Sequence, residues 1–176
     1  MYPPMLIRVG VSKILPGQVG LLATRLLPKN TKIGDPDLMG EEGFMTWEEF
    51  ALVDGVTQNA MRDFCLQTED GLHIPNDMNY LSLPWFMNHS CNGNVGFVAR
   101  DNFITICDVA AGEELSLDFG IGFSYPEFRL NCLCGSPNCR RLVTGSDWRD
   151  PSVFLPKQAY MLSTLRDRLI AEGHLK

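Results

Sequence analysis

The sequence Asn88-His89-Ser90-Cys91, together with the later sequence Cys132-Leu133-Cys134 and Cys139, decides how this chain folds. A turn-forming stretch, Gly135-Ser136-Pro137-Asn138, precedes Cys139. A tight loop of this kind can direct three sulfur atoms to one point. A structural zinc ion prefers four ligands in a tetrahedron, with each sulfur about 2.3 Å from the metal. The spacing therefore predicts a Zn2+ site in which Cys91 supplies the fourth thiolate.

Disulfides and ordinary buried thiols are the alternatives to zinc. A Cys-x-Cys pair is too close to form a bond within itself, and Met1-Tyr2-Pro3-Pro4 has neither the charged nor the apolar region of a signal peptide. Six cysteines in a chain without such a signal argue against an oxidising compartment. Zinc is thus favoured by the spacing of the cysteines. Cys65 and Cys107 have apolar neighbours and are expected to be plain core residues.

Composition limits the classes of function. The chain has 176 residues, of which 45% are hydrophobic, so it can form one domain with a substantial core. Its net charge is −6, which disfavours a sequence-independent grip on nucleic-acid phosphates and suits a basic peptide partner. No apolar run is long enough to cross a membrane. We expect a cytoplasmic or nuclear protein that binds neither nucleic acid nor membrane; the sequence leaves its oligomeric state open.

Hydrophobic patterns predict a mainly β fold with short helices. Residues 6–12 and 19–27 have the pattern of strands, with a glycine-containing turn between them. Thr46 and Glu49 form a capping box that begins a helical insert over residues 45–66. A later strand is expected to place Leu115, Leu117 and Phe119 on one face. Residues 156–171 are expected to form an amphipathic helix with Met161, Leu165, Leu169 and Ile170 on its apolar side.

These segments resemble the SET-domain protein-lysine methyltransferases, a family of knotted enzymes that use S-adenosyl-L-methionine (SAM). Residues 17–23 are similar to the family's glycine-containing cofactor loop, with an alignment that is open by one residue. Residues 86–94 are similar to its Asn-His-Ser-Cys core, and residues 113–120 to its Glu-Leu-x-x-Asp-Tyr strand. The cysteine loop is similar to the post-SET zinc loop. The resemblance extends from about residue 8 to residue 145.

The resemblance implies a fold, a domain division and a set of site residues. The implied fold has small curved sheets and a C-terminal pseudoknot. It comprises a SET domain at 5–125, a post-SET zinc loop at 126–145 and a C-terminal extension with a helix at 146–176. The implied substrate is a lysine in a histone or another basic protein. The residues expected to contact the cofactor are Gly17, Val19, Gly20, Leu21, Asn88, His89, Phe119 and Leu133.

Phe119 is the departure from the family pattern that bears most on activity. The family has a tyrosine there, close to the target lysine, and a phenyl ring can neither donate nor accept a hydrogen bond. Leu117 and Phe119 are expected to border the lysine channel, and Tyr80 or Tyr125 is the candidate for supplying the missing hydroxyl. Gly93 also replaces a proline of the family, and Arg141 replaces a glycine.

Three functions are therefore compatible with the sequence. The first is an active protein-lysine methyltransferase that uses SAM. The second is a catalytically weakened SET-domain protein that acts as a binding or interaction module. The third is a zinc-stabilised interaction protein that binds no cofactor.

Overall fold

Short strands and short helices joined by loops form this computed structural model, which describes residues 4–33, 43–79, 81–98 and 102–176. The strands are β1 Ile7–Val11, β2 Val19–Ala23, β3 Lys32–Ile33, β4 Gly43–Thr46, β5 Leu66–Gln67, β6 Gly71–Ile74, β7 Asn88–His89, β8 Val95–Val98, β9 Asn102–Thr105, β10 Glu114–Leu117, β11 Arg129–Asn131 and β12 Leu142–Thr144. The α-helices are α1 Trp47–Phe50, α2 Gly55–Phe64, α3 Pro151–Phe154 and α4 Ser163–Ala171. Within these described residues, 3-10 helices span Leu83–Phe86, Phe119–Ile121, Asp147–Arg149 and Leu155–Tyr160. The expected fold class, mainly β with short helices, is confirmed.

Small sheets surround one principal core. Within the described residues, the largest sheet has the strand order β1-β2-β10-β8-β9-β3, and β7 pairs with β10. A second sheet has the order β4-β6-β5, and β11 pairs with β12. Trp148 and Leu169, from the C-terminal region, are buried in the same core as Leu21 and Leu115 of the largest sheet. The C-terminal extension therefore packs on the sheet, while the pseudoknot stays a prediction.

The central strand β10 organises the site. It pairs antiparallel with β2 and parallel with β7, where Leu117 lies opposite His89. Two strands distant in sequence thus bring residues 88–89 beside residues 116–117. The Asn-His segment and the Glu-Leu-Ser-Leu segment are held together by backbone hydrogen bonds.

Two glycines permit close packing around β10. A Cβ on Gly20 would collide with the carboxylate of Glu114. A Cβ on Gly93 would lie 2.7 Å from the backbone nitrogen of Asp118 and 2.9 Å from the carbonyl oxygen of Ser116. The glycine that replaces the family's proline therefore lets the chain lie directly against β10.

The helical insert begins as expected. Thr46 caps α1, its side chain accepts a hydrogen bond from the Glu49 amide, and the Glu49 carboxylate accepts one from the Thr46 amide. The insert is then interrupted, because Asp54 caps a new helix at Gly55. The capping box is confirmed, and the 45–66 segment contains two helices rather than one.

The prediction of one continuous helix over 156–171 is wrong. Residues Leu155–Tyr160 form a 3-10 helix, and α4 begins only at Ser163. Met161 and Leu162 between them have non-helical backbone and are both buried, and the Leu162 amide donates to the Ile121 carbonyl. Placing two consecutive side chains in the core requires this break. Ile170, expected on the apolar side, is 44% exposed.

Two further expectations need correction. Phe119 does not belong to the strand with Leu115 and Leu117, because β10 ends at Leu117 and Phe119 begins a 3-10 helix. Asp118 caps that helix by accepting a hydrogen bond from the Gly120 amide. Cys107 is exposed rather than in the core, because it follows the end of β9 on the surface; Cys65 is buried as expected.

Candidate active site and metal centre

Three openings meet at the side chains of Phe64, Trp85, Met87 and Phe119. The loop cleft is the opening next to the β1–β2 turn, and its other lining residues include Leu15, Pro16, Val19, Asn88, His89 and Leu133. The apolar cavity is the opening that enters the core, and it is also lined by Leu66, His73, Phe97, Phe103, Leu117 and Phe123. The charged groove is the opening on the surface, and it is also lined by Arg62, Asp63, Tyr125, Glu127, Phe128 and Arg129. A ligand in the loop cleft could thus meet a side chain that enters from another opening.

The predicted cofactor residues divide into two groups. Val19, Asn88, His89, Phe119 and Leu133 line the loop cleft. Gly17 lies in its turn, between two lining residues. Gly20 and Leu21 belong to β2, and Leu21 is buried in the core with no exposed surface. The side chain of Leu21 therefore does not reach the cleft.

A buried carboxylate supports the floor of the loop cleft. Glu114 accepts hydrogen bonds from the Ser12 hydroxyl at 2.9 Å and from the backbone amides of Lys13 at 2.5 Å and Ile14 at 3.1 Å. It also accepts one from Asn88 Nδ2 at 2.8 Å. These bonds tie the chain after β1 to β7 and β10. Glu114 was not among the residues predicted for the site, although a glutamate at the start of a buried strand was the available signal.

Asn88 is oriented by the same network. Its Nδ2 also donates to the Val19 carbonyl oxygen at 2.8 Å. Because the amide hydrogens are directed at Val19 and Glu114, the oxygen Oδ1 is the group that Asn88 can offer to a ligand. The cleft therefore presents a hydrogen-bond acceptor at this position.

His89 is buried between the cleft and the cysteines. Its Nδ1 accepts a hydrogen bond from the Phe119 amide at 3.0 Å, and its Nε2 lies 3.4 Å from Cys91 Sγ. Burial lowers the pKa of His89 to about 4, although the nearby Asp118 carboxylate opposes that shift. The imidazole is therefore neutral at physiological pH.

The four predicted metal ligands come together. The Sγ atoms of Cys91, Cys132, Cys134 and Cys139 all lie within 4.8 Å of one another. The Cys132 sulfur is 3.8 Å from that of Cys91 and 3.6 Å from that of Cys139. Four thiolates at about 2.3 Å from a zinc ion would be separated by roughly 3.8 Å. The four side chains therefore fit a tetrahedral zinc ion.

One thiol of the cluster is predisposed to ionise. Burial alone would raise the pKa of Cys134, but hydrogen bonds from Ser136 outweigh it and lower that pKa to about 6. The Ser136 hydroxyl lies 3.0 Å from Cys134 Sγ. Since thiolates are the form that binds zinc, this environment favours metal binding.

Asp118 is the centre of a buried ion network beside the cysteines. It accepts hydrogen bonds from Arg140 Nη1 at 3.0 Å and Lys157 Nζ at 2.6 Å. Arg140 also pairs with Asp147 at 2.8 Å, and Lys157 also donates to the Cys91 carbonyl at 2.8 Å. Burial alone would raise the pKa of Asp118, but Arg140 and Lys157 hold that pKa below its usual value. The network joins the cysteine loop and the C-terminal extension to β10.

The other side of Phe119 is aromatic. Its ring stacks on that of Phe123 with the centroids 4.3 Å apart, and Phe123 lies 4.7 Å from Phe128. Leu117 lines the adjacent cavity, as expected for a residue that borders a lysine channel. No side-chain hydroxyl or carboxylate lines this cavity within the described ranges.

Of the two candidate tyrosines, Tyr125 alone lies among the described residues. Tyr125 lines the charged groove, where its hydroxyl donates to Glu127 at 2.9 Å and its ring stacks on Trp47 at 3.9 Å. It does not line the apolar cavity. Tyr80 lies outside the described residues. A catalytic role for either tyrosine stays a prediction.

A comparison with known proteins now identifies the family. The family model named SET domain matches residues 18–120, which is more than half of the chain. The chain belongs to the SET domain family. The match covers β2, the Asn-His-Ser-Cys segment and β10 through Gly120, and it begins at the end of the β1–β2 turn. The SET domain model ends before the cysteine loop, which is therefore described by its geometry alone.

Curated relatives are similar to this SET domain over part of their length. "Histone-lysine N-methyltransferase, H3 lysine-36 specific" of Candida albicans is 32% identical over 83 residues, which are 43% of this chain and 10% of that protein. "Probable histone-lysine N-methyltransferase set-23" of Caenorhabditis briggsae is 41% identical over 66 residues, which are 33% of this chain and 27% of that protein. "Histone-lysine N-methyltransferase, H3 lysine-4 specific" of Saccharomyces cerevisiae is 40% identical over 63 residues, which are 31% of this chain and 6% of that protein. The matched segments span roughly a quarter or less of these relatives.

Residues that sequence reasoning missed hold the site together. Asp118, Arg140 and Lys157 are charged residues whose mutual contacts no local pattern indicates. Trp85 lies where all three openings meet.

In the part of the chain that the structure describes, no helix has the length and apolar character needed to cross a membrane.

Proposed function

We propose that this chain is a SAM-dependent protein-lysine N-methyltransferase that acts on a histone or another basic protein. The observation that carries the proposal is the meeting of the loop cleft, the apolar cavity and the charged groove at Phe119. A methyl donor and a lysine side chain need separate entrances and one point of contact. Membership of the SET domain family and the names of the relatives support the same reaction.

The loop cleft has groups that fit the cofactor. Asn88 offers an acceptor oxygen, which suits the ammonium of an amino-acid moiety. Leu15, Pro16 and Val19 provide an apolar wall for a heterocyclic ring. Leu133 is 64% exposed at the rim of the cleft, where it is available to cover a bound ligand. When bound, SAM would supply an electrophilic methyl group and a positive charge.

The chain's own residues would prepare the lysine. Free lysine has a pKa of about 10.4, so its ammonium must lose a proton to solvent before the nitrogen can attack a methyl group. Aromatic and aliphatic walls exclude water and favour the neutral amine. The ring of Phe119 contributes to those walls but cannot align the amine by a hydrogen bond. We therefore expect methyl transfer that is slower than a tyrosine at this position would allow.

The cysteine cluster would hold one structural zinc ion. Zinc would fasten residues 126–145 over β7, as in a post-SET loop, and so position Leu133 beside the cleft. We propose the corresponding division of the chain into a SET domain at 5–125, this loop and a C-terminal extension at 146–176. Metal analysis should give about one zinc per chain, and Cys134→Ser should lower that content sharply. An unchanged zinc content in the variant would contradict this assignment.

A basic protein is the substrate class that the charge favours. The net charge of −6 attracts lysine-rich segments. The groove through which a peptide would enter is lined by two carboxylates, Asp63 and Glu127, and by two guanidinium groups, Arg62 and Arg129. The relatives' names make histones the first substrates to test. A histone substrate would place the protein in the nucleus.

The decisive experiment is transfer of labelled methyl groups from SAM to histones and other basic proteins. Wild type, Phe119→Tyr and Phe44→Tyr would be assayed together; Phe44 is half exposed and lines none of the three openings. We expect label from the wild type and about tenfold more from Phe119→Tyr, because a hydroxyl can align the amine. Phe44→Tyr should match the wild type.

The other outcomes separate the competing functions. Label from Phe119→Tyr but none from the wild type would indicate a binding module whose chemistry has been lost. Absence of label from both, together with no calorimetric binding of SAM or its demethylated product, would contradict the proposed enzyme.

A further inference from the structure

His89 connects the cysteine cluster to the residue beside the proposed lysine site. One ring nitrogen lies 3.4 Å from Cys91 Sγ, and the other accepts a hydrogen bond from the Phe119 amide at 3.0 Å. The side chain is buried, so water does not compete for either nitrogen. We infer that His89 donates a hydrogen bond to the metal-bound thiolate of Cys91 and thereby couples the metal centre to the position of Phe119. This inference rests on the zinc part of the proposed function.

The direction of both hydrogen bonds follows from the geometry. A backbone amide can only donate, so Nδ1 of His89 must present its lone pair to Phe119. In a neutral imidazole the hydrogen is then on Nε2. That hydrogen is directed at Cys91 Sγ, which lies 3.4 Å from Nε2. A thiolate accepts such a hydrogen bond readily.

A metal-bound thiolate benefits from this donor. Four thiolates give a zinc centre an excess of negative charge, which hydrogen-bond donors offset. The Arg140 amide is a second donor to the same sulfur at 3.4 Å, and the Cys134 amide donates to Cys132 Sγ at 3.4 Å. His89 differs from these amides because it is a side chain whose other end contacts the proposed active site. It is therefore a positioning residue for the reaction.

His89 and Phe119 lie close together, and paired strands fix their relative positions. Leu117 pairs with His89 through β10 and β7, and the Ser90 amide donates to the Leu117 carbonyl at 3.0 Å. Phe119 lies two residues beyond the end of β10, and its ring centroid is 5.2 Å from that of His89. A shift of Cys91 on metal loss would therefore move His89 and the backbone of residue 119. Metal occupancy should affect the rate of methyl transfer at this residue.

A cadmium-substituted wild type gives the most direct test. Scalar coupling between cadmium-113 and a proton is transmitted through an N–H···S hydrogen bond to a metal thiolate. We expect cross-peaks from the metal to the Hε2 proton of His89 and to the amide proton of Arg140. The Arg140 signal is the internal control, because its donor–sulfur distance is the same. An Arg140 cross-peak without one from His89 would overturn the inference.

Variants of His89 measure how its two hydrogen bonds affect zinc affinity and the rate of methyl transfer. His89→Leu removes both hydrogen bonds, whereas His89→Gln retains an acceptor and a donor. Ser90→Ala is the matched control, because Ser90 is buried next to Cys91 and its side chain makes no hydrogen bond to the sulfur. We expect chelator competition to show zinc affinity that is about 10–100-fold lower in His89→Leu. His89→Gln should recover part of that loss, and Ser90→Ala should keep the wild-type affinity.

The possible results distinguish failure of this inference from failure of the proposed methyltransferase activity. In an active enzyme, His89→Gln should lower kcat more than it changes KM for the peptide, because residue 119 rather than the peptide groove is displaced. Wild-type zinc affinity in a folded His89→Leu would overturn the inference. It would leave the proposed methyltransferase activity unaffected. Failure of that variant to fold would leave the cadmium spectrum of the wild type to decide. Failure of the wild type to bind cadmium or zinc would overturn both the inference and the metal site, and the methyl-transfer assay would still test the enzyme.

Discussion

The two sides of Phe119 are built from different interactions. On the side of the cysteines, buried polar groups have specific partners: Asp118 binds Arg140 and Lys157, and His89 binds the Phe119 amide. On the side of the apolar cavity, Phe123 and Leu117 contact it through hydrocarbon alone. The polar side depends on complete sets of partners, whereas the apolar side depends on shape and volume. The same ring therefore separates a region that is sensitive to single polar changes from one that tolerates conservative replacement.

Removing the central anion should have the largest effect on stability. Asp118→Asn leaves Lys157 without its buried counter-charge and leaves Arg140 paired only with Asp147, and breaking a buried ion pair in this way costs about 3–5 kcal/mol. Urea unfolding would measure the change in the free energy of unfolding. Glu172→Gln, which breaks an exposed pair with Arg149, should change little. Equal effects of the two variants would show that burial does not distinguish these ion pairs.

Acid should abolish the contribution that the Asp118 carboxylate makes to the free energy of unfolding. Because the folded state holds the Asp118 pKa below its usual value of 3.8, the carboxylate contributes stability above that pH. That contribution is lost as the pH falls through the lower pKa of the folded state. The difference in the free energy of unfolding between wild type and Asp118→Asn should therefore narrow below about pH 4. A difference that stays constant down to pH 2 in unfolding titrations would contradict the assigned direction of the pKa shift.

A conservative change on the aromatic side should cost less. Phe123→Leu retains a buried hydrocarbon but removes the ring that stacks on Phe119, at a cost of about 1–1.5 kcal/mol. Thermal and urea unfolding would measure the loss, with the wild type as reference. A cost as large as that of Asp118→Asn would mean that the stacked geometry, rather than volume, stabilises this side.

Replacing Arg141 should have the smallest effect on stability, and the replacement should stabilise the protein. Its φ of 65° is unfavourable for a residue with a side chain by about 1–2 kcal/mol, whereas glycine adopts it freely. Glycine also increases the entropy of the unfolded chain, so Arg141→Gly should stabilise the protein by about 0.5 kcal/mol. Arg166→Gly, within α4, is the control and should destabilise by about 1 kcal/mol. Destabilisation by Arg141→Gly in urea would indicate that the arginine side chain itself supports the cysteine loop.

Local patterns in the sequence predicted several features correctly. The spacing of Cys132, Cys134 and Cys139 with Cys91 identified the four sulfur atoms that now lie together. The capping box at Thr46 identified the start of α1. These features were accessible because a turn or a cap depends on residues within a few positions of one another.

Features that depend on distant contacts were missed. The break at Met161 and Leu162 serves a core formed by other elements, and the helical pattern of residues 156–171 did not indicate it. Cys107 has apolar neighbours in sequence but lies on the surface in space. Likewise, the partners of Glu114 lie about a hundred residues away, just after β1, or across the sheet in β7.

The sequence by itself determined the family, the mainly β class and the identity of the clustered cysteines. It also determined that residue 119 has no hydroxyl. Only the tertiary structure decided that Phe119 leaves the strand, that Asn88 and His89 are oriented by Glu114 and Cys91, and that three openings meet at one ring. The physical reason is that residue types and short spacings are local properties of the chain. The direction of a hydrogen bond and the lining of a cavity depend on residues that only the folded backbone brings together.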